Sequence, residues 1–136
     1  MPRSENSRRL LVYWGPVVVY CLAIFLQSSF PTPAAVPTFY LSDKLLHVAA
    51  YAVMAILFYR ALGLHAIGNT PVKRAVFSAA LTVLYGISDE FHQSFVPGRS
   101  PEWLDVAADA VGAVVGVIIA RKFFGIPGPF QGAPSD

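Results

Sequence analysis

The chain has 136 residues, of which 55% are hydrophobic and 13% are charged, and its formal net charge is +2. A soluble domain carries roughly 25% charged residues, so this composition excludes an ordinary water-soluble globule and favours a chain that lies mostly in a lipid bilayer. The lack of a recognition motif among the basic residues also argues against nucleic-acid binding.

Four apolar segments are predicted to cross the membrane as helices, which makes the chain an all-α, polytopic membrane protein with a compact four-helix bundle. A spanning helix needs about 20 mostly apolar residues, and three of the segments meet this requirement directly. The remaining one meets it only if its last part tolerates Asp89, Glu90, His92 and Gln93. Pro and Gly residues between the segments indicate turns. The predicted helices cover residues 10–29, 44–62, 72–95 and 103–120.

The first segment also resembles a secretory signal peptide, because Arg3, Arg8 and Arg9 precede it. Its apolar run is longer than the roughly 7 to 15 residues of such a signal, and no small-residue cleavage site follows, so a permanent helix is favoured. Cys21 is the only cysteine, which excludes an internal disulfide framework and a cysteine-based zinc site. We expect one helical membrane domain over residues 1–126 and a disordered tail over 127–136.

Basic residues predict the orientation, since in short loops they concentrate on the cytoplasmic side of a membrane. Most of them lie before the first helix, between the second and third, or after the fourth: Arg3, Arg8, Arg9, Arg60, Lys73, Arg74, Arg121 and Lys122. Both termini are therefore expected in the cytoplasm, with loops 30–43 and 96–102 outside. Most acidic residues belong to the outer loops or to the adjoining helix ends: Asp43, Asp89, Glu90, Glu102, Asp105 and Asp109.

Polar residues of the third predicted helix lie on a common face. At about 100° per residue, Asp89, Glu90 and Gln93 fall within one arc. Thr82 and Gly86 belong to the same arc, and Gly86 is expected to let a neighbouring helix approach.

The fourth predicted helix combines acids and small residues on one stripe. Asp105, Asp109, Gly112 and Gly116 follow one another at spacings of three or four residues, so they share a face. Together with Ala108, the two glycines form a small-residue surface that allows close approach of another helix. A homodimer through the Gly112 and Gly116 face is a further expectation.

The second predicted helix begins with three polar residues on one face, at spacing i, i+3 and i+7. All three polar faces lie at the outer ends of their helices, so antiparallel packing would bring them into one outward-opening pocket. The predicted pocket residues are Lys44, His47, Tyr51, Asp89, Glu90, Gln93, Arg99, Asp105 and Asp109.

These residues also belong to an ordered set of motifs. "QSS" ends the first helix, "DKLLHVAAY" opens the second, and "SDEFHQSFVPGRSPEWLDVAADAVGAVVG" runs across the third and fourth. The set resembles the VanZ-like family of small bacterial membrane proteins, and the resemblance covers most of the chain. The family pattern falls on Lys44, His47, Tyr51, Asp89, Glu90, Gln93, Pro97, Gly98, Arg99, Asp105, Asp109, Gly112 and Gly116. In one departure, Asp109 stands where many members have Asn.

The resemblance implies a multi-pass protein of the bacterial cytoplasmic membrane. It also implies a connection with the cell envelope, because the family's namesake is associated with low-level resistance to the lipoglycopeptide teicoplanin. It implies no mechanism, no catalytic assignment, and no resistance in the host of this particular chain.

Three functions remain open for the pocket, and a binding module is preferred over an enzyme. In the binding hypothesis, Arg99 and Lys44 donate to an anionic head group, while the acids and Gln93 orient them or contact amines and sugars. The expected partners are membrane lipids and a lipid-linked or lipoglycopeptide ligand, with no nucleic acid.

The second hypothesis is an intramembrane enzyme that acts on a lipid or lipid-phosphate substrate, with Glu90 or Asp109 as general acid or base. The third is a purely structural ion-pair network, in which the charges only hold helices together. Asp43, Lys44 and Glu102 also fit a role as residues of the membrane interface.

No cofactor and no metal are predicted. A metal site would have to recruit His47, His92, Asp89 and Glu90, and these residues lack the spacing of known ligand motifs such as H-E-x-x-H.

Overall fold

The computed structural model of the chain describes residues 3–31 and 40–124. These ranges form four α-helices and one short 3₁₀ turn, Ala66–Gly68, and they contain no strand. The all-helical fold class is therefore confirmed. The predicted tail, 127–136, lies outside the described residues. The helices are α1 (Arg3–Ser28), α2 (Tyr40–Leu62), α3 (Pro71–Gln93) and α4 (Trp103–Phe124).

The helix boundaries differ from the predicted ones by up to two turns. α1 begins at Arg3 and α2 at Tyr40, ahead of their apolar runs, and α4 continues to Phe124. α3 ends at Gln93, slightly earlier than predicted. The apolar run marks where lipid contact ends, whereas a helix continues for as long as its backbone hydrogen bonds do.

Three of the helices are long and apolar enough to cross a membrane, over Glu5–Ser28, Ser42–Leu62 and Trp103–Phe124. α3 has a suitable length of 23 residues, but both of its ends carry charged side chains. The protein is thus a membrane-type protein with three clear candidate spans.

α3 buries most of its polar side chains and exposes several of its large apolar ones. Its buried face consists of Arg74, Ser78, Thr82, Gly86, Asp89, Glu90 and Gln93. Val72, Val76, Leu84 and Phe91 are exposed on the outer surface. A helix of a soluble protein has the opposite distribution, with its apolar stripe facing the core. This inverted pattern favours lipid contact for α3 as well, since lipid makes an outward apolar face favourable.

Consecutive helices run antiparallel, and their polar contacts gather at one end of the bundle. Ser28 near the end of α1 contacts Asp89 near the end of α3, and Lys44 near the start of α2 contacts Asp105 near the start of α4. We call this the polar end. The opposite end, formed by the starts of α1 and α3 and the ends of α2 and α4, is called the basic end.

α2 and α4 approach each other closely through glycine. A methyl group added at Gly112 would lie 2.5 Å from the carbonyl oxygen of Val48, and one at Gly116 would clash with the backbone of Ala52. The small-residue stripe of α4 therefore packs against α2 of the same chain. The homodimer expected through the Gly112 and Gly116 face stays a prediction, and within the chain this face packs against α2.

Candidate functional site

Lys44 is the centre of the first group of polar contacts at the polar end. Its ammonium donates to Glu102 Oε2 at 2.8 Å, to Asp105 Oδ1, and to Asp43 Oδ2 at 3.4 Å. The contacts join the start of α2 to the start of α4, so one cation neutralises part of the charge of three acids. Asp105 is buried, whereas the Glu102 side chain is 47% exposed.

His47 lies one turn deeper and pairs with a fully buried carboxylate. Its Nδ1 is 2.8 Å from Asp109 Oδ1, and its Nε2 is 3.8 Å from Asp105 Oδ2. The second oxygen of Asp109 lies beside Gly86 of α3, where an added methyl group would come within 2.6 Å of it. Gly86 therefore makes room for the Asp109 carboxylate between α3 and α4.

Asp89 is the centre of a second group, on the side of α1. Its Oδ2 accepts hydrogen bonds from Ser28 Oγ at 2.8 Å, Gln93 Nε2 at 2.9 Å and the Tyr51 hydroxyl at 3.5 Å. Gln93 also donates to Ser28 Oγ at 3.3 Å. All four side chains are buried, which makes this group a closed connection between α1, α2 and α3.

Tyr51 connects the two groups. Its hydroxyl reaches Asp89, and its ring stacks on His47 with a centroid separation of 6.1 Å and an interplanar angle of 6°. The predicted residues of α2, α3 and α4 thus form one continuous polar cluster, which consists of Lys44, His47, Tyr51, Asp89, Glu90, Gln93, Asp105 and Asp109.

Glu90 occupies the seam between α3 and α4. Its Oε2 accepts a hydrogen bond from the backbone N–H of Glu102 at 3.0 Å, directly before the first residue of α4. A carboxylate at a helix start satisfies a free N–H group and complements the helix dipole. Only 7% of Glu90 is exposed.

Three buried carboxylate oxygens accept no hydrogen bond within the part of the chain that the structure describes: Asp89 Oδ1, Glu90 Oε1 and Asp109 Oδ2. A buried charged group without a full set of partners is costly, by several kcal/mol on the usual scales. The cluster is therefore strongly acidic and only partly satisfied by its own cations.

Arg99 does not join this cluster, although it was predicted among the pocket residues. Its Nε donates to the carbonyl oxygen of Phe30 at 3.0 Å, and its Nη2 donates to that of Gln27 at 3.1 Å. The turn before it uses Gly98 with a φ of +80°, a conformation that favours glycine. The guanidinium therefore caps the end of α1, where the negative end of the helix dipole attracts a cation.

The histidines also lie in different surroundings. His92 Nε2 is 2.9 Å from Ser29 Oγ, and its ring stacks on Phe25 of α1, whereas His47 belongs to the acidic cluster. One ligand atom each from Asp43, His47 and Asp105 lies within 4.8 Å of the others, so these three residues could hold a metal ion. Lys44 already donates to both of the aspartates in this group, and its charge opposes a second cation.

The sequence interpretation assigned no role to Ser28 in the cluster, although "QSS" was part of the motif set. Glu102 was considered only as an interface residue, but it binds Lys44 through its side chain and Glu90 through its backbone. Both contacts join residues more than ten positions apart, so helical periodicity alone contains no signal for them.

A cavity of about 260 Å³ lies along the seam between α3 and α4 at the polar end. Its apolar walls include Ile87, Phe91, Trp103 and Val106, and its charged lining residues are Glu90 and Glu102. We call this cavity the α3–α4 groove. Its lining contains two acids and no basic residue.

The family model described as VanZ/LLP1 matches residues 14–125, which is most of the chain. The chain belongs to the VanZ/LLP1 family. This membership confirms the resemblance carried by the motifs, and the matched range contains all of the polar cluster. No curated protein and no solved structure matches this VanZ/LLP1 chain.

Proposed function

We propose that this VanZ/LLP1 protein is a binding module of the bacterial cytoplasmic membrane, with its polar end on the outer side. Its ligand is an amphipathic molecule of the cell envelope, of the lipid-linked or lipoglycopeptide class to which teicoplanin belongs. The observation that carries the proposal is the set of three buried carboxylate oxygens without a hydrogen-bond donor. A ligand rich in N–H and O–H groups would supply the donors that the chain itself does not provide.

The charge distribution supports the proposed orientation. Most basic residues lie at the basic end, which the positive-inside rule places in the cytoplasm. The acidic cluster then faces the outer surface, where cell-envelope ligands are found.

The contacts favour ligand amines and sugar hydroxyls over a ligand phosphate as the groups that the cluster recognises. Lys44 is held by Glu102 and Asp105, and Arg99 is held by carbonyls of α1. The two cations that an anionic head group would need are thus already engaged. The acids outnumber them and attract donors.

Native mass spectrometry after gentle detergent extraction tests this proposal. We expect a retained amphiphile with amine or sugar hydroxyl groups, and we expect the double variant Asp105→Asn, Asp109→Asn to lose it. Glu5→Gln is the matched control, because Glu5 is exposed near the start of α1 and should keep the ligand. An anionic lipid that is lost in Arg99→Ala and kept in the double variant would overturn the proposal, as would the absence of any retained ligand.

An enzyme is the second candidate, and the 2.8 Å pair of His47 with Asp109 is the observation that favours it. A carboxylate that orients an imidazole is a common arrangement in acid–base catalysis. On this hypothesis, purified protein converts a labelled phospholipid or polyprenyl-phosphate substrate, and Asp109→Asn abolishes turnover while the folded yield is unchanged. A lack of turnover over a broad lipid panel would exclude this candidate.

A further inference from the structure

The α3–α4 groove has the polarity of a site for a single-chain amphiphile. Glu90 and Glu102 lie at the polar end of the groove, and Ile87 and Val106 lie about one helical turn deeper. A head group at the acids would therefore continue into a hydrocarbon chain that runs toward the middle of the bilayer.

The charged groups on the groove determine which head group fits it. Both lining charges are carboxylates: Glu102 is paired with Lys44 at 2.8 Å, whereas Glu90 is only 7% exposed with no donor on Oε1 within the described chain. A cation that also carries N–H groups would complement both the charge and the unsatisfied oxygen. An anionic head group would be repelled by Glu90, which pairs with no cation among the described contacts.

Aromatic walls add a second preference for a cation. Phe91 and Trp103 line the groove, and Trp103 is 85% exposed. The face of an aromatic ring attracts an ammonium group, and Trp is the most effective of the aromatic residues.

The size of the groove limits the ligand to a narrow molecule. Its volume of about 260 Å³ is below the range of roughly 300 to 1,000 Å³ that is typical for drug-sized ligands. The groove therefore has room for a small head group and the first part of one hydrocarbon chain. Exposed apolar residues on α3 and α4, such as Phe91 and Leu104, provide a lipid-like surface for the rest of the chain.

We propose that the α3–α4 groove binds a single-chain membrane amphiphile with a primary ammonium head group, held by Glu90 and Glu102 against Trp103. This assignment rests on the proposed function as a binding module and adds the place and the chemical class of the ligand. It also assigns Glu90 a role in addition to its hydrogen bond with the start of α4.

Tryptophan fluorescence of the protein in phosphatidylcholine nanodiscs provides the test. The chain contains two tryptophans, so a Trp14→Phe background leaves Trp103 at the groove as the only one. Three probes of equal length, brominated on the chain a few carbons from the head group so that the bromine lies near Trp103 and quenches it, differ only in their head groups: dodecylamine, dodecyltrimethylammonium and dodecanoate. We expect saturable quenching by the amine, with an affinity about tenfold or more above that of the other two, since they lack N–H donors or positive charge.

Two pairs of variants separate specific binding from partition into the bilayer. Glu90→Gln should weaken amine binding by about tenfold, and Glu5→Gln should leave it unchanged. Val106→Phe fills the groove without a change of charge and should also weaken binding, whereas Val111→Phe on the exposed face of α4 should not. The Val106 pair keeps the test valid if Glu90→Gln fails to fold.

Equal affinities for the three probes, or an unchanged affinity in both Glu90→Gln and Val106→Phe, would overturn the assignment. The proposed function has a separate readout, since a co-purifying ligand that depends on Asp105 and Asp109 would support it even if dodecylamine does not bind. If no ligand co-purifies but dodecylamine binds saturably, the proposed function is overturned and the assignment of the groove is supported.

Discussion

The two ends of the bundle satisfy their charged side chains in different ways. At the basic end, the buried Arg74 lies over the ring of Tyr59 at 5.1 Å and donates to the carbonyl oxygen of Gly68 at 3.2 Å. Arg60 lies 5.5 Å from the ring centroids of both Tyr13 and Phe124. Aromatic faces and carbonyls thus stabilise these cations. Neither arginine forms an ion pair with a carboxylate of the described residues.

At the polar end, charges are paired mainly with one another, and the pairing is incomplete. Lys44 contacts three acids, Asp89 collects three donors, and three buried carboxylate oxygens have no donor within the described residues. The difference indicates that the basic end is a structural anchor of the bundle. Under the proposed function, a ligand completes the contacts that the polar end leaves open.

The largest expected effect concerns the placement of the two ends across the membrane, because labelling is all or none. In a Cys21→Ser background, we expect Ser100→Cys at the polar end to react with a membrane-impermeant maleimide on intact cells. Asn69→Cys at the basic end should react only after permeabilisation. Both positions are exposed, so the reverse pattern would show that the bundle is inserted the other way.

Asp89→Ala should cause the largest loss of stability at the polar end. The change removes the acceptor shared by Ser28, Tyr51 and Gln93 and leaves buried donors unsatisfied, which we expect to cost about 3 kcal/mol. Thermal unfolding in detergent measures this loss of stability. Glu5→Ala serves as the control and should be neutral, and a loss below about 1 kcal/mol for Asp89→Ala would contradict the structural role of this group.

Arg74→Met tests the basic end. Methionine keeps the unbranched apolar stem and removes the guanidinium, so the loss should be about 2 kcal/mol from the ring contact and one hydrogen bond. The measurement is the midpoint of thermal unfolding in detergent. The matched variant Lys73→Met provides the reference, because Lys73 is exposed and should tolerate the change. Equal midpoints for the two variants would argue against an anchoring role for Arg74.

Glu102→Gln should have the smallest effect, below about 1 kcal/mol, since its side chain is half exposed and its pair with Lys44 is accessible to solvent. The backbone hydrogen bond to Glu90 is unaffected by this change. We expect the difference from wild type to shrink further as salt increases. A loss as large as that of Asp89→Ala would mean that the Lys44 group, too, is a closed structural contact.

Much of the fold was predictable from local patterns. Long apolar runs interrupted by Pro and Gly predicted an all-helical membrane protein, and the motif set predicted the family. The spacing of Lys44, His47 and Tyr51 placed them on one face of α2, where the structure also has them in contact with the cluster. These inferences succeed because they depend on residues within one helix.

Predictions of contacts between different helices were less successful, because periodicity identifies a face of a helix without identifying what covers it. Arg99 was expected in the pocket with the acids, but it donates to carbonyls at the end of α1. The stripe of Gly112 and Gly116 was predicted to let another helix approach closely, and the structure shows that α2 of the same chain is one helix that does so.

The sequence by itself therefore determined the membrane character, the helical elements, the family and the polar faces of α2, α3 and α4, since composition and short-range spacing specify all of these. Only the tertiary structure decided which acid meets Lys44, which helix end binds Arg99, and where the α3–α4 groove lies. The contacts of Lys44 and Arg99 join residues about 60 or more positions apart, as with Ser28 and Asp89. They follow from how closely whole helices can pack, which is a property of the assembled bundle.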